Sequence, residues 1–181
     1  MHPRLAAVIE YADRARSELL ATVEAVPEPL REARPSEDAW SVAEILEHLM
    51  RVEKGVTRLV TMKAGEMLSH SEPPRDPDDL PELDVARFAA IADRSIQIAA
   101  PDRVMPRGEI SAAEALDGLA LTHAQLREQL HAADGLALST AQHPHPVFGV
   151  INLYEWVYAT GAHELRHAEQ IRVVATLLGA Y

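Results

Sequence analysis

The chain contains no cysteine. Disulfides, thiolate metal sites and a cysteine nucleophile are therefore excluded, and any bound metal must be held by histidine and carboxylate. It also lacks an apolar run approaching the ~20 residues that a helix needs to cross a bilayer. The first stretch, Met1 to Ala25, carries acids and arginines throughout where a signal peptide requires an uninterrupted apolar centre. A soluble cytoplasmic protein with no membrane partner is expected. Basic residues are in deficit, with 17 Lys and Arg against 28 Asp and Glu for a net charge of −11, and they form no cluster. Such a surface repels phosphate backbones, so nucleic acid is not an expected partner and small molecules or proteins remain.

Strand-like alternation is scarce, whereas helical periodicity is abundant. One domain over residues 1–181 is expected, built as an all-α four-helix bundle. The first helix runs from about Arg4 to Ala25, opened by Pro3 and closed before Pro27 and Pro29. The second begins at a capping box, Ser41 with Glu44, and places Val42, Ile45, Leu49, Val52, Val56 and Leu59 on one face before ending near Ala64. A long connection between helices two and three follows, from Gly65 to Ile110. It is rich in proline and acid, with a short helix expected around Asp84 to Asp93. Ser111 and Glu114 form a second capping box for a helix that carries Leu119, Thr122, Leu126 and Leu130 inward and stops before Gly135. The segment His143 to Gly149 contains two prolines and reads as a non-helical loop, after which Asn152 caps a fourth helix extending to Gly179.

Helix four holds His163 and His167, an i,i+4 pair whose side chains stand about 40° apart on the helix, one turn above the other. Both fall on the arc of Leu153, Trp156, Thr160, Ile171 and Val174, which must face the core. His48, at the edge of the apolar face of helix two, is the best third ligand for one divalent metal ion, because antiparallel packing can bring it opposite the pair. Three imidazoles leave a coordination position open, as in catalytic rather than structural zinc, and ligand type alone admits Zn, Ni, Fe or Mn. Residues 163–167 also match H-E-x-x-H, but Gln170 and Val173 stand where a metzincin needs Gly and His. Only 14 residues follow His167, too few for a zincin's downstream glutamate, so a protease is not expected.

Glu164 shares the buried arc and is the expected general base or outer support beside the metal. Gln170 and Glu44, each one turn from a histidine, are the other candidates for orienting an imidazole. Trp40 and Trp156 read as packing residues, and His145 as a residue that stabilises its own loop. His2, His70, His123, His131 and His143 have no spacing that distinguishes them from surface residues.

Three stretches resemble the DinB/YfiT-like metalloenzyme family: residues 40–49 around His48, residues 145–156 from His145 to Trp156, and residues 163–171 around the histidine pair. The resemblance implies that His48, His163 and His167 hold a divalent metal, nickel or zinc, in a bundle that is often a homodimer. Characterised members of that family include transferases and isomerases dependent on a low-molecular-weight thiol. A thiol cofactor and a small-molecule substrate are thus implied, by analogy of fold rather than by any segment of this chain. A non-catalytic bundle, with a structural or sensing metal, stays open as the alternative.

Overall fold

The structure is a computed structural model that describes residues 1–88, 91 and 100–180. Four long helices dominate it: α1 (Pro3–Glu24), α2 (Val42–Leu68), α3 (Ala112–Ala132) and α4 (Leu153–Leu177). Their starts lie where local chemistry places them. His2 caps α1 with its imidazole, Ser41 with Glu44 and Ser111 with Glu114 form complete capping boxes on α2 and α3, and Asn152 with Glu155 does the same for α4. Helix α2 continues one turn beyond the predicted end, passing through Gly65 to Leu68. Between α1 and α2 lies one further helical turn, Glu28–Arg31.

Helix α1 packs chiefly on α4, and α2 packs on both α3 and α4. The buried apolar residues divide into two clusters. One takes Leu5 to Ala12 of α1, Val56 to Met67 of α2, Leu126 and Leu130 of α3 and Leu153 to Ala162 of α4. The other takes Leu19 and Val23, Val42 to Leu49, Ala112 to Leu119 and Ala168 to Ala175 from the same four helices. Helices α1 and α4 thus run from the first cluster to the second, while α2 and α3 run the opposite way. Two consecutive helices pointing the same way require a long return, which explains the extended α2 to α3 connection.

Part of that connection is tied to the bundle. Asp76 accepts from Ser139 and from the Tyr154 hydroxyl, and the Pro74 carbonyl accepts from the Ala137 N–H. Val85–Phe88 forms a short 3-10 helix that buries Phe88. Asp84 stands just before it outside any helix, and the remainder of the short helix expected at Asp84 to Asp93 lies outside the described residues apart from Ile91.

The loop predicted between α3 and α4 is instead a β-hairpin. Gln142–His145 pairs antiparallel with Gly149–Asn152, with Pro144 opposite Val150. Prolines 144 and 146 argue against a strand in a sheet interior, but both strands of a two-stranded ribbon are edges, where a missing N–H costs little. Gly149 supplies the left-handed backbone, φ 68°, that the turn requires.

Helix α4 carries a glycine in mid-helix, which costs about 0.5–1 kcal/mol relative to alanine. Its reason is α1: a Cβ on Gly161 would stand 2.9 Å from the Tyr11 ring, which stacks on Tyr158 with centroids 4.0 Å apart. The missing side chain lets the two helices approach closely enough to seat that aromatic pair.

Candidate metal centre

A polar layer separates the two apolar clusters, and every long helix contributes to it. Its half facing the hairpin is the histidine cluster. His48 projects from α2, His163 and His167 from successive turns of α4, and one nitrogen from each lies within 4.8 Å of the others. The Nε2 atoms of His48 and His163 are 3.3 Å apart, and those of His163 and His167 are 3.0 Å apart. Nitrogens that share one zinc ion at about 2.0–2.1 Å in tetrahedral geometry stand roughly 3.3–3.4 Å apart, so the cluster already has the scale of a metal site.

The outward nitrogens decide how the inward ones behave. His48 Nδ1 donates to the Val104 carbonyl at 2.8 Å, and His167 Nδ1 donates to Gln170 Oε1 at 2.7 Å. Each bond fixes the tautomer with a bare Nε2 lone pair pointing inward. A single Nε2–H on His163 serves only one of these lone pairs well, whereas a divalent cation would take up the lone pairs of all three rings. His163 Nδ1 is the one buried side-chain polar atom without a hydrogen-bond partner among the described residues. The donor set therefore fits a divalent cation. Burial pushes the His163 pKa well below its ordinary value, with help from the neighbouring imidazoles, and burial likewise lowers that of His48. Both stay neutral at physiological pH, the state in which imidazole binds metal.

The cluster opens onto a cavity of about 1150 Å³. Trp40, Trp156 and His145 border it together with Val104 and Met105 of the long connection. Trp40 packs its ring 5.1 Å from that of His48, so the two tryptophans serve packing and the cavity wall together. His145 does stabilise its turn: Val147 N–H donates to His145 Nδ1 at 3.1 Å. That bond leaves the proton on Nε2, while burial pushes the pKa down to about 4, so His145 is a neutral hydrogen-bond donor beside the centre.

The sequence profile of the DinB superfamily matches residues 11–171, which takes in all three histidines. The chain belongs to the DinB superfamily. A relative in Bacillus subtilis (strain 168), the uncharacterised protein YuaE, is 28% identical over 145 residues, covering 78% of this chain and 80% of the relative. The solved structure of TT2238, described as a four-helix bundle protein, superposes on 93% of this chain and 98% of its own with a TM-score of 0.59 at 21% identity, which shows the shared fold.

Two of the outer residues expected around this DinB centre stand elsewhere. Glu44 does not reach His48: it closes the α2 capping box and is held by Arg34, whose Nε donates at 2.8 Å. The backbone carbonyl of Val104, 56 residues away along the chain, does the orienting instead. Glu164 does not join the histidines either, and is not among the described residues lining the cavity. Arg16 of α1 takes both its oxygens, at 3.1 Å through Nε and 2.5 Å through Nη2. A carboxylate so committed is not free to act as a base at the cavity. Gln170 alone of the three stands where the spacing places it.

Arg16, Glu53 and His123, which sequence spacing did not single out, form with Glu164 the other half of the polar layer. Arg16 also donates to Glu53 at 3.0 Å and to the Leu119 carbonyl at 2.9 Å, and Glu53 accepts from Thr122 and from His123. His123 reaches Asp13 of α1 at 2.9 Å, and Asp13 pairs with Arg127. One signal was available: Arg16 and Glu53 both occupy the apolar arc of their helices, where an isolated charge is disfavoured. Burial pushes the Glu164 carboxyl up against the pull of Arg16, whereas His123 and Arg16 overcome burial to hold Glu53 below its usual range.

The hydrogen bond to Glu53 raises the pKa of His123. A raised folded pKa means a contribution that is complete below the ordinary imidazole pKa and fades as pH rises through the folded value. The groups facing His123 are Glu53, Asp13 and Arg16. Replacing His123→Gln is therefore expected to lower the melting temperature at mildly acid pH and to do so much less at alkaline pH. An equal loss at both would show that His123 acts uncharged.

Proposed function

We propose that His48, His163 and His167 bind one divalent cation, nickel or zinc, and that the centre serves an enzyme acting on a small molecule in a thiol S-transferase-like reaction. The carrying observation is the convergence of three imidazoles, two with tautomers set by outward hydrogen bonds, on a large open cavity. A bound divalent cation supplies Lewis acidity, which lowers the pKa of a coordinated thiol or water. The chain's own residues supply the rest: His145 offers a neutral N–H donor to a ligand in the cavity, and Trp40 and Trp156 offer apolar walls for its body. The low-molecular-weight thiol rests on the family resemblance.

Cobalt substitution tests this reading. A spectral change on adding small thiols, followed by turnover when electrophilic acceptors are supplied, is the expected result. A spectrum indifferent to thiols and water exchange would leave a structural or sensing metal in a non-catalytic bundle.

A cytoplasmic homodimer is the assembly we propose. No helix among the described residues is long and apolar enough to cross a membrane. Leu20 of α1 and Val173 and Leu177 of α4 are exposed at the same end of the bundle, leaving apolar surface for a second copy. Light scattering at micromolar concentration is expected to give twice the chain mass, and a monomer mass would overturn the dimer.

A further inference from the structure

The metal reading leaves Glu47 unused, although it is among the most buried acids of the protein, at 1% exposure. Its Oε1 accepts from the Arg51 guanidinium at 2.9 and 2.7 Å. Its Oε2 accepts from two consecutive backbone N–H groups, those of Arg107 at 2.9 Å and Gly108 at 3.0 Å. Two successive amides on one carboxylate oxygen are a grip on the backbone, and both bonds are charge-assisted. The gripped segment is the stretch of the long connection that carries the Val104 carbonyl.

We infer that Glu47 is a positioning residue for the metal centre, clamping residues 104–108 to α2 so that the Val104 carbonyl holds His48 in its ligating tautomer. The lever is short. Only Met105 and Pro106 separate Val104 from the gripped amides, and Pro106 has a fixed φ, so little slack remains between the clamp and the carbonyl. On α2 the two anchor points are neighbours in sequence, Glu47 for the amides and His48 for the carbonyl. Gly108, at φ 67°, turns the chain immediately after the grip, and a Cβ there would stand 3.4 Å from Glu44 Oε1. The same segment forms one wall of the cavity, so the clamp sets both a ligand and part of the space beside it. Without it, the Val104 carbonyl has no other side-chain anchor among the described residues, and the His48 ring is released to exchange tautomers. Losing such outer support of a metal-bound imidazole costs about 10–100-fold in metal affinity.

The effect on affinity rests on the metal reading, whereas the effect on the ring does not, so the two are measured separately on the full chain. In metal-free protein, long-range 1H–15N NMR is expected to show His48 protonated on Nδ1. In Glu47→Ala, and to a smaller degree in Glu47→Gln, that signal is expected to move towards a mixture of tautomers. Zinc affinity is expected to fall about 10–100-fold in Glu47→Ala and several-fold in Glu47→Gln. Arg51→Ala, which leaves the grip on residues 107 and 108 in place, is expected to keep both signals. Should Glu47→Ala fail to fold, Glu47→Gln, which keeps the shape, decides the matter by both readouts. A folded Glu47 variant with a parental His48 signal overturns the proposal, even if its melting temperature falls, since that is how a merely structural acid would behave. If the parent binds no zinc while the tautomer shifts, the clamp stands and the metal reading fails.

Discussion

Arg16→Ala is expected to lose about 3–5 kcal/mol of folding stability, the range for removing one member of a buried ion pair. Arg16 is 5% exposed and lies between Glu53 at 1% and Glu164 at 3%, so its removal leaves Glu164 buried without its guanidinium partner and Glu53 with only His123 and Thr122. A domain of this kind is stable by only about 5–15 kcal/mol in total, so the variant stands near the edge of folding. Urea denaturation reads the loss as a fall in midpoint. The double variant Arg16→Met with Glu164→Leu removes the pair together, leaving Glu53 to His123 and Thr122, and is expected to regain a substantial part of the loss. A single variant within about 0.5 kcal/mol of the parent, as for an ordinary surface change, would show that the guanidinium does not organise the layer.

The second large effect is on metal. His48→Ala, His163→Ala and His167→Ala are each expected to weaken binding by more than the roughly 10–100-fold that loss of outer support costs, because the ion keeps two protein ligands instead of three. His145→Ala is the matched control. It removes a histidine from the same cavity, but one whose Nδ1 is occupied by Val147 N–H and which lies outside the cluster, so affinity is expected to stay within a few-fold. Elemental analysis and competitive zinc titration measure both. Any one of the three variants that retains stoichiometric metal at parental affinity removes that histidine from the ligand set.

Much of the architecture was legible along the chain because its causes are local. Helix starts follow from side chains that reach backbone N–H groups three residues away, as in the Ser41 and Glu44, Ser111 and Glu114, and Asn152 and Glu155 boxes. The i,i+4 spacing of His163 and His167 is a property of one helix, and so is the reach of Gln170 to His167. The pairing of His48 with them crosses 115 residues, yet it was readable once the depth of each histidine along its helix was combined with an antiparallel α2 and α4.

What local chemistry could not decide is which partner a buried group meets. Sequence determined that Glu164 is buried and must have a partner; only the packing of α1 on α4 decided that the partner is Arg16, 148 positions away, and not a metal. Sequence determined that a metal-bound His48 needs an acceptor behind it. The long connection decided that this is the carbonyl of Val104 and not the Glu44 carboxylate, which its own helix terminus and Arg34 had already engaged. The hairpin at residues 142–152 belongs with these, since prolines that forbid a central strand are tolerated once tertiary placement makes both strands edges. The physical reason is common to all three: a hydrogen bond or ion pair selects among every group within about 3 Å, and for contacts remote in sequence that set exists only after the helices have packed.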